Sequence, residues 1–204
     1  MVGRHLFSDF TSLWATPAVL RGAKARELSG FRADYETFLS AVHRHTSNPG
    51  RIFVDGLKFN TRVAALIAAG FPVGGVIHLY RDPADFVASS MRNTGWRGVL
   101  EHALRYRLYH ARARQVGRDV SYLPLHYESL ADDIDGELGR LFSFVGVAPM
   151  TVAELRPYFD QEWHFMGNSS LFRFDGMIHR SRHDLGSSKV RWVECLAGVR
   201  QGAQ

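Results

Sequence analysis

The 204-residue chain has one cysteine, Cys195, so it can form no internal disulfide and no cysteine zinc site. Its longest apolar helix candidate, residues 63–69, is far shorter than the roughly 20 residues that a membrane span needs. The opening MVGRHLFSDF lacks the apolar stretch of a secretory signal, so a cytoplasmic location is expected. There is no low-complexity tract, no internal repeat and no Gly-x-x-x-x-Gly-Lys-Ser/Thr loop; the last absence argues against an ordinary P-loop transferase or kinase. Acidic residues are in deficit, 20 Asp and Glu against 25 Lys and Arg, giving a net charge of +5 and a pI of about 9.7. That balance favours an anionic ligand without separating nucleic acid from nucleotide or from a sulfated or phosphorylated substrate.

The hydrophobic content, 46 %, suffices for a substantial core, and the length suits a single domain over residues 1–204. The most structured stretch is residues 76–92, VIHLYRDPADFVASSMR. Val76, Ile77, Leu79 and Tyr80 read as a buried strand. Asp82 suits a helix cap and Pro83 the first helical position. A helix start facing out from a strand end favours anions, and Arg81 at the turn offers a fork for phosphate oxygens. Around this stretch the pattern predicts a helix capped by Asp34, a strand over 51–55 and a helix over 61–69. Further on it predicts a helix over 96–115, a strand over 120–127, one helix from Leu130 to Val145 ended by Gly146, and a short helix over 154–159. Residues 161–191 read as loop. Strands alternating with helices argue for an α/β fold with a parallel sheet, with ligands beyond the carboxyl ends of the strands.

Four segments together resemble the sulfotransferases that use 3′-phosphoadenosine 5′-phosphosulfate. VIHLYRDPADFVASS is similar to their 3′-phosphate segment, with Arg81 and Ser89 matching in type and spacing. LPLHYESLADDIDGELGRLFSFVGV resembles their Tyr-Glu-Asp-Leu stretch, aligning Tyr127 with Glu128 beside it. RIFVDGLKFNTRVAALIA resembles a bacterial Asp-Ser-Ser-Lys-x-x-x-Arg segment at Lys58 and Arg62, with Gly56 and Leu57 in place of the serines. HFMGNSSLFRF resembles a late His…Gly-Asn…Arg segment at His164, Gly167, Asn168 and Arg173, and Lys189 to Trp192 resembles its tryptophan-containing end. The resemblance covers most of residues 51–192 in order. It implies a three-layer, P-loop NTPase-like parallel sheet flanked by helices, behind a helical region in residues 1–50. The family's first strand and its Arg-Ser-Gly-Thr phosphosulfate loop, which would cradle phosphate on backbone N–H groups, have no counterpart here.

The resemblance also implies roles. Arg81 and Ser89 would hold the 3′-phosphate, with Arg173 as a second cation and Tyr127 at the adenine. Lys58 would be a point charge on the leaving phosphate. Asp55, Glu128 and His164 are candidate bases, and His164 is placed in the role for its segment and its ordinary pKa range. The co-substrate would be 3′-phosphoadenosine 5′-phosphosulfate, the partner a hydroxyl or amine acceptor, and no metal is implied. The alternative is a catalytically inactive, truncated homologue that binds nucleotide or a protein. Other readings compete residue by residue: Arg81 could pair with Asp85 or Glu128, and His78 inside its strand reads as a satisfied core histidine. His43 with His45 and His179 with His183 lack a third metal ligand. Arg97, Arg105, Arg107, Arg112 and Arg114 read as the solvated side of a helix, so no nucleic-acid partner is expected.

Overall fold

Two five-residue strands, β1 (Val76–Tyr80) and β2 (Tyr122–His126), pair in parallel and set the geometry of everything that follows. The computed structural model describes residues 25–45, 52–56, 60–90, 96–159, 178 and 185–198. Helices α1 (Ala25–His45) and α2 (Asn60–Ala68) precede β1. Between the strands lie α3 (Pro83–Ser90) and α4 (Trp96–Val116). After β2 come α5 (Tyr127–Asp132), α6 (Ile134–Val145), α7 (Val152–Phe159) and α8 (Ser187–Ala197). The chain divides into two compact units, one of residues 1–74 with 111–121 and one of residues 75–110 with 122–204.

The first unit is built on aromatic packing along α1. Tyr35 stacks on Phe31 at 6.0 Å and meets Phe71 edge-on at 5.1 Å, and Ala65 of α2 is fully buried. This apolar face runs through the point where Asp34 was expected to cap a helix. The helix therefore continues across it, helped by an Arg32–Glu36 pair one turn apart. In the portion of α4 belonging to this unit, Arg112 is buried rather than solvated, because it shares a face with Val116 one turn on.

The second unit contains the sheet. The register pairs Val76 with Tyr122 and Tyr80 with His126, so both strands end at the same level. Parallel pairing requires a crossover, and α3 and α4 supply it. Val87 of α3, Val99 and Ala103 of α4 and Val193 of α8 form its core, flanked by Phe86, Leu185 and Leu196. Each fully buried valine contributes about 1.5–3 kcal/mol. Residues 187–191, read from sequence as loop, are thus the start of a helix whose Val193 fills the core under α3.

Three further expectations are corrected. The predicted strand over 51–55 is not one: residues 52–56 pair with no strand among the described residues, and Ile52, Phe53 and Val54 are exposed. A β-prone run becomes a strand only where a neighbour takes its backbone groups, and Asp55 is instead held by Arg62 and Tyr35. The α/β class and the parallel pairing stand, but the described sheet has two strands, and the three-layer arrangement does not appear among the described residues. The single helix expected from Leu130 to Val145 is two helices. Asp133 leaves the helical conformation between them (φ -143°, ψ 78°), and its carboxylate accepts the Gly136 N–H at 2.9 Å, capping α6. Gly146 ends α6 as expected, at φ 75°. Gly146→Ala should destabilise the protein by about 1 kcal/mol, since a Cβ disfavours that conformation; thermal melts of the two proteins check this.

α7 starts two residues before the expected Glu154 because Thr151 and Glu154 form a reciprocal capping box. The Thr151 N–H and hydroxyl both reach Glu154 Oε2, at 2.7 and 2.8 Å, and the Glu154 N–H reaches Thr151 Oγ1. The backbone N–H of Thr151, more than its hydroxyl, holds the Glu154 carboxyl below its ordinary value. A lowered folded pKa gives stability above the unfolded value that is lost as pH falls through the folded one. Carbon-detected NMR titration of the Glu154 carboxyl should give a midpoint below 4.5 that survives in part in Thr151→Ala. A midpoint at or above that value would contradict the box.

Candidate functional site

Because β1 and β2 end at one level, the residues leaving them emerge side by side: Arg81 and Asp82 from β1, Tyr127 and Glu128 from β2. The carboxyl ends of parallel strands are where α/β sheets bind ligands. The turn after β1 is pinned by Tyr106 of α4, whose hydroxyl donates to the Arg81 carbonyl at 2.8 Å. The Arg81 guanidinium lies over the Tyr127 ring, 4.8 Å from its centroid, and its Nε is 4.0 Å from Glu128 Oε1. The side chain is about one-quarter exposed (26 %). The pair with Glu128 anticipated as an alternative is therefore present, although 4.0 Å is too long for a hydrogen bond.

Glu128 is buried and sits at the centre of a polar cluster. Its Oε1 accepts the Asp82 N–H at 3.2 Å, and its Oε2 is 2.9 Å from His126 Nε2. The same nitrogen is 3.0 Å from Asp82 Oδ1. The hydrogen bond of Nε2 is to Asp82 Oδ1, while Glu128 Oε2 makes no hydrogen bond and faces the ring edge as a charge contact. One imidazole and two carboxylates also match a divalent-cation site in donor type, with all donor atoms within 4.8 Å of one another. The neighbouring Arg81 guanidinium already opposes that negative charge.

Behind the cluster lies a layer of rings. Tyr80 packs on His126 at 4.9 Å and on His110 at 5.6 Å, and His110 packs on Tyr106 at 3.9 Å. His78 meets His110 at 4.7 Å and its Nδ1 is hydrogen-bonded to the Tyr122 hydroxyl, diagonally across the sheet. His78 is thus a satisfied structural histidine, as its place inside a strand suggested.

The start of α3 differs from the anion site expected of it. The Asp82 carbonyl accepts the Phe86 N–H at 2.9 Å, as a capping residue should, but its carboxylate engages His126. Asp82, Asp85 and Glu128 together make this helix start acidic, so the cation available to an anion here is the Arg81 side chain rather than the helix dipole. Ser89 is half-buried in the last turn of α3, eight residues and so about 12 Å of helical rise beyond Arg81. The structure brings Arg81 and Tyr127 together and leaves Ser89 at the opposite end of the helix. Lys58, His164 and Arg173 lie outside the described residues.

In the first unit, Asp55, also a candidate base, is committed elsewhere. Its Oδ2 is 3.0 Å from Arg62 Nε and accepts from the Tyr35 hydroxyl at 3.2 Å, while the Arg62 guanidinium lies over the Tyr35 ring at 5.2 Å. Arg62, aligned with an arginine of the resembled segment, is buried in this pair. His126 and the backbone N–H of Asp82 were missed as partners of Glu128 by the sequence reading. The signal lay in the register: only when Tyr80 and His126 are known to be neighbours do the two post-strand pairs become one cluster.

The arginine stacked on a tyrosine thus lies where two parallel strands end, the place where α/β sheets bind ligands. A family model for the sulfotransferase family matches residues 6–151. The match takes in well over half of the chain, including residues 58, 81, 89 and 127, and stops short of His164 and Arg173. The chain belongs to the sulfotransferase family. Searches of curated proteins and of solved structures returned no match. Among the described residues, no helix is long and apolar enough to cross a membrane.

Proposed function

We propose that the protein transfers a sulfuryl group from 3′-phosphoadenosine 5′-phosphosulfate to a hydroxyl or amine of an acceptor. The acceptor oxygen or nitrogen attacks sulfur as the bond from sulfur to the 5′-phosphate oxygen breaks. The acceptor proton passes to a base, and 3′,5′-adenosine bisphosphate leaves. As in phosphoryl transfer, the protein's work is in-line placement and charge stabilisation. Arg81 and Ser89 hold the 3′-phosphate and Tyr127 borders the adenine. On the family resemblance alone, Lys58 offsets charge on the leaving phosphate, His164 takes the acceptor proton and Arg173 adds a second cation.

The observation that carries this reading is the Arg81 guanidinium lying over Tyr127 at the shared carboxyl end of β1 and β2. The family membership supports the same reaction class. The test is turnover with labelled phosphosulfate donor against a panel of alcohols, phenols and amines. Acceptor-dependent release of 3′,5′-adenosine bisphosphate is expected, slowed about 100-fold in His164→Ala, the lower range for losing a general base. Tight nucleotide binding with no release from any acceptor would instead favour a nucleotide-binding role without catalysis.

A further inference from the structure

We infer that Glu128, braced by His126, is a positioning residue that sets the Arg81 guanidinium for the 3′-phosphate. This rests on the nucleotide reading above, and it concerns residues that reading does not use. Arginine has a long side chain with many rotamers, and ordering it costs up to about 2 kcal/mol. A site that must grip one phosphate gains by fixing the fork before the ligand arrives. Two contacts do so here. The Tyr127 ring sets the plane of the guanidinium from 4.8 Å, and Glu128 Oε1 faces its Nε edge from 4.0 Å. The loose distance suits an attraction that orients without neutralising, as two hydrogen-bonded charges would.

Glu128 can act this way only if its own carboxylate is held. Oε1 takes the Asp82 N–H at 3.2 Å and Oε2 faces His126 Nε2 at 2.9 Å, with the side chain more than nine-tenths buried. The His126 Nε2 hydrogen bond goes to Asp82 Oδ1, and Glu128 Oε2 meets the same ring edge as a close charge contact without a hydrogen bond of its own. His126 is held in turn by Tyr80. The chain of control runs from Tyr80 through His126 and Glu128 to Arg81, and all four residues stand at the strand ends.

The test compares affinity for 3′,5′-adenosine bisphosphate with affinity for adenosine 5′-phosphate, by calorimetry, in the unaltered chain, Glu128→Gln, His126→Ala and His126→Gln. The ratio isolates the 3′-phosphate, and the adenosine 5′-phosphate affinity reports folding. The ratio should fall about tenfold in Glu128→Gln and His126→Ala, the lower range of a charge-assisted hydrogen bond, with adenosine 5′-phosphate binding unchanged. His126→Gln, which keeps an N–H donor at similar reach, should restore most of it. A ratio unchanged or raised in Glu128→Gln would overturn the positioning role and leave the 3′-phosphate reading intact. An equal fall in both affinities would mark a merely structural role and overturn it too. If the unaltered chain does not prefer the bisphosphate, the 3′-phosphate reading itself fails, and the positioning role with it.

Discussion

Replacing Arg81 with alanine is expected to weaken binding of 3′,5′-adenosine bisphosphate by about 100-fold while leaving adenosine 5′-phosphate binding nearly unchanged. A fork donating two charge-assisted hydrogen bonds to one phosphate, each worth about 1.5–3 kcal/mol, supports a loss of that size. The main chain at the turn should survive the change. Tyr106 holds the Arg81 carbonyl and Glu128 holds the Asp82 N–H, and neither contact uses the arginine side chain. Arg81→Lys should recover only part of the loss, because an ammonium is a point charge without the planar fork that lies over Tyr127. Calorimetric titration of the three proteins with both nucleotides decides it, and equal losses for both ligands would mean that Arg81 does not read the 3′-phosphate.

The second large effect is on stability. Arg62→Met should destabilise the first unit by about 3 kcal/mol, the lower end of the range for removing one partner of a buried ion pair. The lower end applies because the Asp55 side chain keeps 23 % exposure, against 9 % for Arg62. Loss of the guanidinium leaves the Asp55 carboxylate beside the Tyr35 hydroxyl without the cation that faces both. Asp55→Asn combined with Arg62→Met should cost less than Arg62→Met alone, since no unmatched charge then stays behind. Urea unfolding of the single and double variants gives both numbers. The phenol of Tyr35 supplies an independent check. Burial first, and Asp55 next, push it above 10.0, while Arg62 pulls it back. A raised folded pKa gives stability that is intact below the unfolded value and is lost as pH rises toward the folded one. The unaltered protein should therefore weaken above pH 10, and Arg62→Met should move the Tyr35 titration still higher.

Both effects depend on residues whose chemistry was visible in the sequence and whose partners were not. VIHLY followed by Arg-Asp-Pro was readable as strand, turn and helix because local propensity and tertiary packing agree there. Gly146 was readable as a helix stop for the same reason. Ile52, Phe53 and Val54 misled because β propensity counts only when another strand accepts the backbone, and that is decided by residues distant in sequence. Asp34 and Asp82 misled in a related way: an aspartate suits a cap by type, yet the Phe31–Tyr35 face carries one helix past Asp34, and His126 claims the carboxylate of Asp82. In the candidate site, Arg81 and Tyr127 were each identifiable singly. That they touch, and that Glu128 and His126 stand behind them, follows from a parallel register that no local pattern encodes.

The central claim, that Arg81 at the turn after β1 reads a nucleotide 3′-phosphate, is tested most directly by calorimetric titration of the unaltered chain with 3′,5′-adenosine bisphosphate and, separately, with adenosine 5′-phosphate. One saturable site with about 100-fold preference for the bisphosphate, the equivalent of the two charge-assisted hydrogen bonds of the Arg81 fork, is the result expected of this site. Failure to bind the bisphosphate, or equal affinity for the two nucleotides, would contradict it.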